Sequence, residues 1–259
     1  MKIPAVYLRI ILIVCLAVNF AACARLGSRG DPRDPFEGLN RSIYSFNDTM
    51  DKTLFNRISK FYQVITPEVV DEGVTNFFSN INDVIVIIND FLQFKLRQGF
   101  SDITRLVFNS TIGLGGLVDV STGMGFPKHD EDFGQTLAVW GFKSGPYVII
   151  PLLGPSTVRD AVGYAIASTV VSPLSYINDT EVYAGLMTLN YVDFKADLLS
   201  AQRLIGQTAV DKYAFVKNAY LNMRDSQIHD RPQDSLEGYD LQDLEQDQNQ
   251  DQGRKQAPR

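Results

Sequence analysis

The chain has 259 residues, of which 45% are hydrophobic and 21% charged, and a formal net charge of −6. This length and apolar content allow a substantial core, which excludes a wholly disordered or collagen-like protein. The acidic balance predicts no general affinity for nucleic acid. The only cysteines are Cys15 and Cys23, and the only histidines are His129 and His229. We therefore expect neither a disulfide framework nor a metal centre, and no cofactor motif is present.

The first 22 residues have the features of a secretory signal peptide. A basic start is followed by an almost unbroken apolar run over residues 10–20, which is short for a membrane span. The sequence FAAC at residues 20–23 resembles a bacterial lipobox, in which Cys23 becomes the first mature residue and carries lipid. The alternative is an ordinary signal peptide with a chance cysteine. Ala24, where an aspartate would signal inner-membrane retention, favours the outer membrane.

Two polar segments flank the predicted domain. Residues 23–35 contain glycine and proline and predict a linker behind the acylated N-terminus. Residues 226–259 are poor in apolar residues and rich in Asp and Gln, which predicts a disordered tail. That tail is either simply solvated or docks a partner. The fold is expected in residues 36–225.

Apolar residues recur every three or four positions through most of this domain, which predicts amphipathic helices. The pattern predicts helices over residues 36–61, 66–81, 84–99, 101–109, 156–170, 179–199 and 208–224. The expected N-caps are Thr66 before Pro67, Ser156 or Thr157, Asp179 or Thr180, and Thr208 in a capping box with Asp211.

Glycine and proline crowd residues 112–156, which predicts a loop-rich middle. Residues 147–153 could form a short strand in a hairpin loop, interrupted by Pro151. No alternation long enough for a larger sheet is present. The predicted class is therefore all-α.

The domain is unusually apolar for its size. Residues 84–88 are apolar on almost every side, and aromatic residues cluster between 77 and 147. One interpretation is a buried core. The other is a set of helices lying within a lipid leaflet, with scattered cations such as Lys95, Arg97 and Arg105.

No catalytic motif is recognisable. The chain has no nucleophile elbow, no phosphate-binding loop and no complete dinucleotide fingerprint. The densest ionisable cluster is His129-Asp130-Glu131-Asp132, which could bind a divalent cation but is more typical of a solvated turn. We therefore expect a protein that is not an enzyme, with no metal site.

Three ordered segments resemble the MlaA/VacJ family of outer-membrane lipoproteins. The first is DPFEGLNR at residues 34–41, followed by Tyr44, Phe46 and Asn47. The second contains NSTIG at residues 109–113 and GLVDV at residues 116–120. The third contains FG at residues 133–134 and GPY at residues 145–147. The similarity extends over residues 34–225, the whole predicted domain.

This resemblance implies a ring-like bundle of helices in the periplasmic leaflet of the outer membrane, with a central amphipathic channel for phospholipid. It further implies association with trimeric porins and transfer of lipid to a soluble periplasmic carrier, MlaC. Gly141 and Gly145 match the family's loop over the channel, although a plain tight turn would use glycines too. Phe46 and Asn47 lie in the first matching segment and either shape the channel wall or pack between helices.

The expected function is removal of misplaced phospholipid from the outer leaflet, which maintains lipid asymmetry. A structural lipoprotein that scaffolds porins without moving lipid is the alternative. A lipid hydrolase is a third possibility, against which the missing nucleophile motif argues.

Overall fold

The computed structural model describes residues 31–231 of the chain. The chain divides into two compact units, one up to Leu199 and one from Ser200, and each is described by itself. The predicted signal peptide, Cys23, most of the predicted linker and nearly all of the predicted tail lie outside the described residues.

Helices dominate the described residues. They are α1 (Glu37–Met50), α2 (Asn56–Ile65), α3 (Glu68–Leu92), α4 (Leu96–Thr111), α5 (Val120–Gly123), α6 (Phe133–Val139), α7 (Val158–Ile166), α8 (Thr180–Thr208) and α9 (Lys212–Ile228). π-helical turns follow α1 and α7, at Asp51–Phe55 and Ala167–Val171, and a 3₁₀ turn covers Pro173–Tyr176. The strands β1 (Tyr147–Ile150) and β2 (Gly154–Thr157) form an antiparallel hairpin. The all-α class and its hairpin are confirmed, while the ring arrangement stays a prediction.

The largest difference from the predicted elements concerns α3 and α4. One helix, α3, covers the helix predicted over residues 66–81 and most of the one predicted over 84–99. The chain turns at residues 93–95, and residues 96–99 belong to α4. Phe94 adopts a left-handed backbone with φ of 62°, and α4 begins at Leu96. Because neither glycine nor proline marks this turn, the hydrophobic pattern gave no signal for it.

The predicted helix caps were partly correct. Thr157 caps α7 by accepting from the Asp160 amide at 3.2 Å, and Asp179 accepts from the Glu181 amide at 2.9 Å at the start of α8. In the second unit, Asp211 alone caps α9 by accepting from the Ala214 amide at 3.1 Å. The predictions for Thr66 and Thr208 were wrong, since Thr66 ends α2 and Thr208 ends α8.

Helices α3 and α4 form an antiparallel pair in the first unit. Asn80, at the middle of α3, donates to the Ser110 hydroxyl near the end of α4 at 2.9 Å. Asp90, at the far end of α3, lies against Asp102 in the first half of α4. The turn that joins the two helices is called the elbow below and comprises residues 93–95.

The interior of the described chain is largely polar. Among residues 31–231, nine hydrophobic residues are buried, against 24 polar or charged ones, while 34 large hydrophobic side chains are exposed. Val64, for example, is 85% exposed, whereas Asp90 is 0% exposed. Soluble proteins show the opposite preference, so this distribution calls for an apolar environment around the chain. Within residues 31–231, no helix is both long and apolar enough to cross a membrane.

Candidate functional site

Two asparagines of α1 bind the hairpin as a neighbouring strand would. Asn40 donates to the Tyr147 carbonyl at 3.0 Å and accepts from the Ile149 amide at 2.9 Å. Asn47, two helical turns later, donates to the Ile150 carbonyl at 3.1 Å and accepts from the Leu152 amide at 2.8 Å. These two residues, called the asparagine pair below, fix α1 along β1.

The predicted site residues Phe46 and Asn47 therefore differ in their surroundings. Asn47 contacts the turn of the hairpin. Phe46 is about half exposed, so its ring is available to whatever surrounds the protein. A role of either residue in a channel wall stays a prediction.

The other two predicted residues lie in the loop between α6 and β1. Gly141 and Gly145 have φ values of 91° and 69°, a region that residues with a Cβ avoid. Arg159 in α7 holds this loop, because its backbone amide donates to the Ser144 carbonyl at 3.1 Å. The loop leads directly into β1, so Gly145 precedes the start of this strand, whereas Asn47 of α1 binds the residues at its far end.

In the acidic run predicted as a solvated turn, Asp130 is exposed but Glu131 is buried. The Glu131 carboxylate accepts from Gln93 at 2.9 Å, from Lys95 at 2.7 Å and from Gln135 at 2.8 Å. Asp132 caps α6 in a capping box with Gln135. The solvated-turn prediction holds for Asp130 and was wrong for Glu131, because the donors that neutralise Glu131 come from the elbow and from α6.

Beneath the elbow, three ionisable groups lie in contact. Both Asp102 oxygens lie 3.0 Å from Nδ1 of His129. Neither oxygen of the buried Asp90 accepts a hydrogen bond. Burial, a hydrogen bond to Asp102 and the charges of Asp102 and Glu131 together raise the pKa of Asp90 to about 8, although the charge of Lys95 lowers it. Asp90 is therefore largely protonated at neutral pH.

Arg105, one of the cations named in the lipid-leaflet interpretation, is buried. Its guanidinium binds Asp119 and the Thr122 hydroxyl, both at 2.9 Å. Burial alone would raise the pKa of Asp119, but hydrogen bonds from Thr122 and Arg105 hold it well below its usual range. Asn109 joins the same group through Asp119. This second matching segment thus forms a polar core around the end of α4.

A cavity of about 930 Å³ opens beside the elbow, between the start of α4 and the loop before α6. Its lining combines the cationic residues Lys95 and Arg97 and the ring of His129 with the aromatic residues Phe94, Phe100 and Phe126. It is called the elbow cavity below. Its size is that of a site for a whole small molecule, and its lining suits an amphipathic anion.

The sequence indicated only part of this cavity. The sequence pattern indicates Lys95 and Arg97 as cations on an apolar helix, but it does not indicate that Phe126 and His129 lie beside them. They join the cavity because the segment after α5 passes back across α4, which no periodicity indicates. Among residues 31–231, no group of three or more His, Cys, Asp or Glu side chains is placed to hold a metal ion.

Comparisons with known proteins identify similar sequences over most of this chain. The chain is 33% identical to an intermembrane phospholipid transport system lipoprotein, MlaA, of Escherichia coli, over 78% of this chain and 82% of that protein. It is 28% identical to an uncharacterised protein of Rickettsia conorii, over 75% of this chain and 78% of the relative.

A solved structure described as the structural basis for maintenance of bacterial outer membrane lipid asymmetry is also similar. It matches with a TM-score of 0.66 and 30% identity, over 75% of this chain and 98% of the other. The sequence profile of the MlaA lipoprotein family matches residues 32–227, which include the asparagine pair, the elbow cavity and the glycine loop. This chain therefore belongs to the MlaA lipoprotein family.

Proposed function

We propose that this chain removes misplaced phospholipid from the outer leaflet of the outer membrane and so maintains lipid asymmetry. The observation that carries the proposal is the polar interior beneath an apolar surface. A lipid environment would cover the exposed hydrophobic side chains, and the hydrogen-bonded interior would keep the fold intact there. The names of the E. coli relative and of the similar structure agree with this role.

The finer features of the proposal rest on the sequence. Cys23 carries the lipid anchor, and the domain lies in the periplasmic leaflet. Trimeric porins hold the chain in place, and a soluble carrier of the MlaC kind receives the lipid. The chain performs no chemical step of its own, so the energy for transport comes from elsewhere; ATP hydrolysis by the pure protein would contradict this.

The first test is mass spectrometry of the mature protein, purified from its native membrane. We expect an acylated Cys23 together with about one phospholipid per chain. An acylated chain that carries no phospholipid would support the porin scaffold instead. Release of lysophospholipid or fatty acid by the pure protein would support a hydrolase.

The second test is made on cells. Deleting the gene should increase the aminophospholipid that a membrane-impermeant amine reagent labels on intact cells, and the full chain should restore the low level. Equal labelling with and without the gene, while porin levels fall, would favour the scaffold.

A further inference from the structure

We propose that the elbow cavity binds the phosphate of a phospholipid headgroup, with Arg97 and Ser101 as its donors. Phe94, Phe100 and Phe126 then contact the glycerol and the first carbons of the acyl chains. This inference rests on the proposed function and assigns a binding site within it. The shared chemistry is a phosphate group, and the experiment below separates a lipid from free phosphate.

Of the basic side chains that line the cavity, that of Arg97 has no hydrogen-bond or ion-pair partner among the described residues. Lys95 binds Glu131 at 2.7 Å, and His129 binds Asp102 at 3.0 Å, so both are already paired with carboxylates. Arg97 is exposed, and it makes no hydrogen bond or ion pair with any described residue. Because Glu131 and Asp102 are paired with Lys95 and His129, the positive charge of Arg97 at the cavity is not balanced by a bound carboxylate.

Two hydroxyl side chains follow Arg97 along α4, and that of Thr104 already donates to the Phe100 carbonyl at 2.9 Å. Arg97, Ser101 and Thr104 all line the cavity, and their spacing of four and three residues puts them on one face of the helix. The Ser101 hydroxyl has no partner within the described chain. A guanidinium and a nearby hydroxyl together match the oxygens of a phosphate, which a guanidinium binds through two parallel hydrogen bonds. The uncapped first turn of α4 adds a weaker attraction for the same charge.

The aromatic residues distinguish a lipid from free phosphate. Phe94 is 84% exposed and Phe100 is 63% exposed, although both line a cavity. Phe100 also packs edge-on against Phe91, with 5.6 Å between the ring centroids, which fixes its orientation. Inorganic phosphate would leave these rings in water, whereas the glycerol and acyl chains of a lipid would cover them.

The test measures binding to the purified full-length chain in detergent. The three probes are dihexanoyl-phosphatidylglycerol, dihexanoylglycerol, which has the same chains without phosphate, and inorganic phosphate. Trp140 is the sole tryptophan, and its Nε1–H donates to the Leu92 carbonyl beside the elbow at 3.1 Å. Its fluorescence therefore reports binding without an added label.

The variants are Arg97→Gln and Ser101→Ala, and the matched control is Arg57→Gln. Arg57 is an exposed arginine of α2 that does not line the cavity, and it has no partner among the described residues. We expect Arg97→Gln to raise the Kd for the phospholipid about tenfold and Ser101→Ala to raise it severalfold. Both should leave dihexanoylglycerol binding unchanged, and Arg57→Gln should behave as wild type.

Two outcomes would overturn this inference without contradicting the proposed function. Unchanged phospholipid binding in both cavity variants would move the headgroup elsewhere. Inorganic phosphate that binds as tightly as the phospholipid, and that Arg97→Gln releases, would identify a site for free phosphate. A wild-type chain that binds no phospholipid at all would instead refute the proposed function. Because Arg97 and Ser101 have no partners to lose, their substitution should leave the fold intact.

Discussion

An asparagine side chain carries one carbonyl and one amide group, as a peptide unit does, so it can replace a strand neighbour. Asn40 and Asn47 each bind a carbonyl and the amide two residues later in the hairpin. The hairpin is therefore held by helix α1 on the side where a larger sheet would add a third strand. Such two-stranded units are marginal alone, which explains the need for this support.

Replacing Asn47 tests this support. Asn47→Ala removes both bonds to the hairpin turn and should lower the free energy of unfolding by about 1–2 kcal/mol. Urea unfolding of the detergent-solubilised chain would measure it. Ser45→Ala, an exposed position of the same helix, is the matched control and should change it by less than about 0.5 kcal/mol. Equal losses in the two variants would show that the bonds contribute nothing.

Asp90 predicts a pH dependence of stability. Burial and Asp102 raise its pKa to about 8 in the folded chain, whereas an unfolded aspartate titrates near pH 4. Between these values the folded chain holds a proton that the unfolded chain has lost, so rising pH lowers the stability. Asp90→Asn removes this effect, and its stability relative to wild type should grow by at least about 1 kcal/mol from pH 5 to pH 8.

The measurement is urea unfolding of both proteins at several pH values. Asp130→Asn controls for the loss of one acidic side chain, since Asp130 is exposed. A difference between Asp90→Asn and wild type that stays constant with pH would contradict the assignment of a protonated, buried Asp90.

At the scale of elements, α6 and α7 meet where two glycines touch. A Cβ on Gly163 would lie 2.5 Å from the backbone nitrogen of Gly134, closer than any real contact. Gly163→Ala should therefore separate the helices and cost about 2–3 kcal/mol of stability. Gly185 lies in α8 with open space around its Cβ position. Gly185→Ala should instead stabilise the protein by about 0.5–1 kcal/mol. Thermal unfolding of both variants would measure the two changes in stability.

The helical elements could be predicted from the sequence wherever a local signal marks their ends. Thr157 and Asp179 have the short polar side chains that cap helices, and both do so. The elbow could not be predicted, because Phe94 has no intrinsic preference for its left-handed backbone. Packing of α4 against α3 imposes that conformation, and tertiary packing is invisible to periodicity.

The candidate site was less accessible to prediction for the same reason. The motif residue Asn47 was noticed, but its hairpin partners lie more than 100 positions away. The local sequence around Glu131 and Arg105 does not indicate that these charged side chains are buried. In the fold, each side chain forms hydrogen bonds with groups from other segments, and these bonds offset the free-energy cost of burying its charge.

At the scale of the whole molecule, the apolar surface predicts which positions face lipid. If Cys15 leaves with the signal peptide and Cys23 is acylated, the mature chain has no free thiol, so one introduced cysteine can be labelled alone. We expect a polarity-sensitive dye on Val64→Cys to shift to shorter wavelength in membranes. The same dye on Asp130→Cys, which is exposed in a polar segment, should keep its emission in water. Equal emission from both would place Val64 in solvent and contradict the proposed location.

The polar interior also sets how stability varies with temperature. Unfolding of an ordinary domain exposes buried hydrocarbon to water, which raises the heat capacity, whereas exposing polar groups lowers it. Here few hydrophobic side chains are buried and many polar ones are. The heat capacity change on unfolding should therefore be well below the usual value of about 12–15 cal/mol/K per residue. A small change flattens the stability curve, so this fold should resist cooling and warming over a broad range.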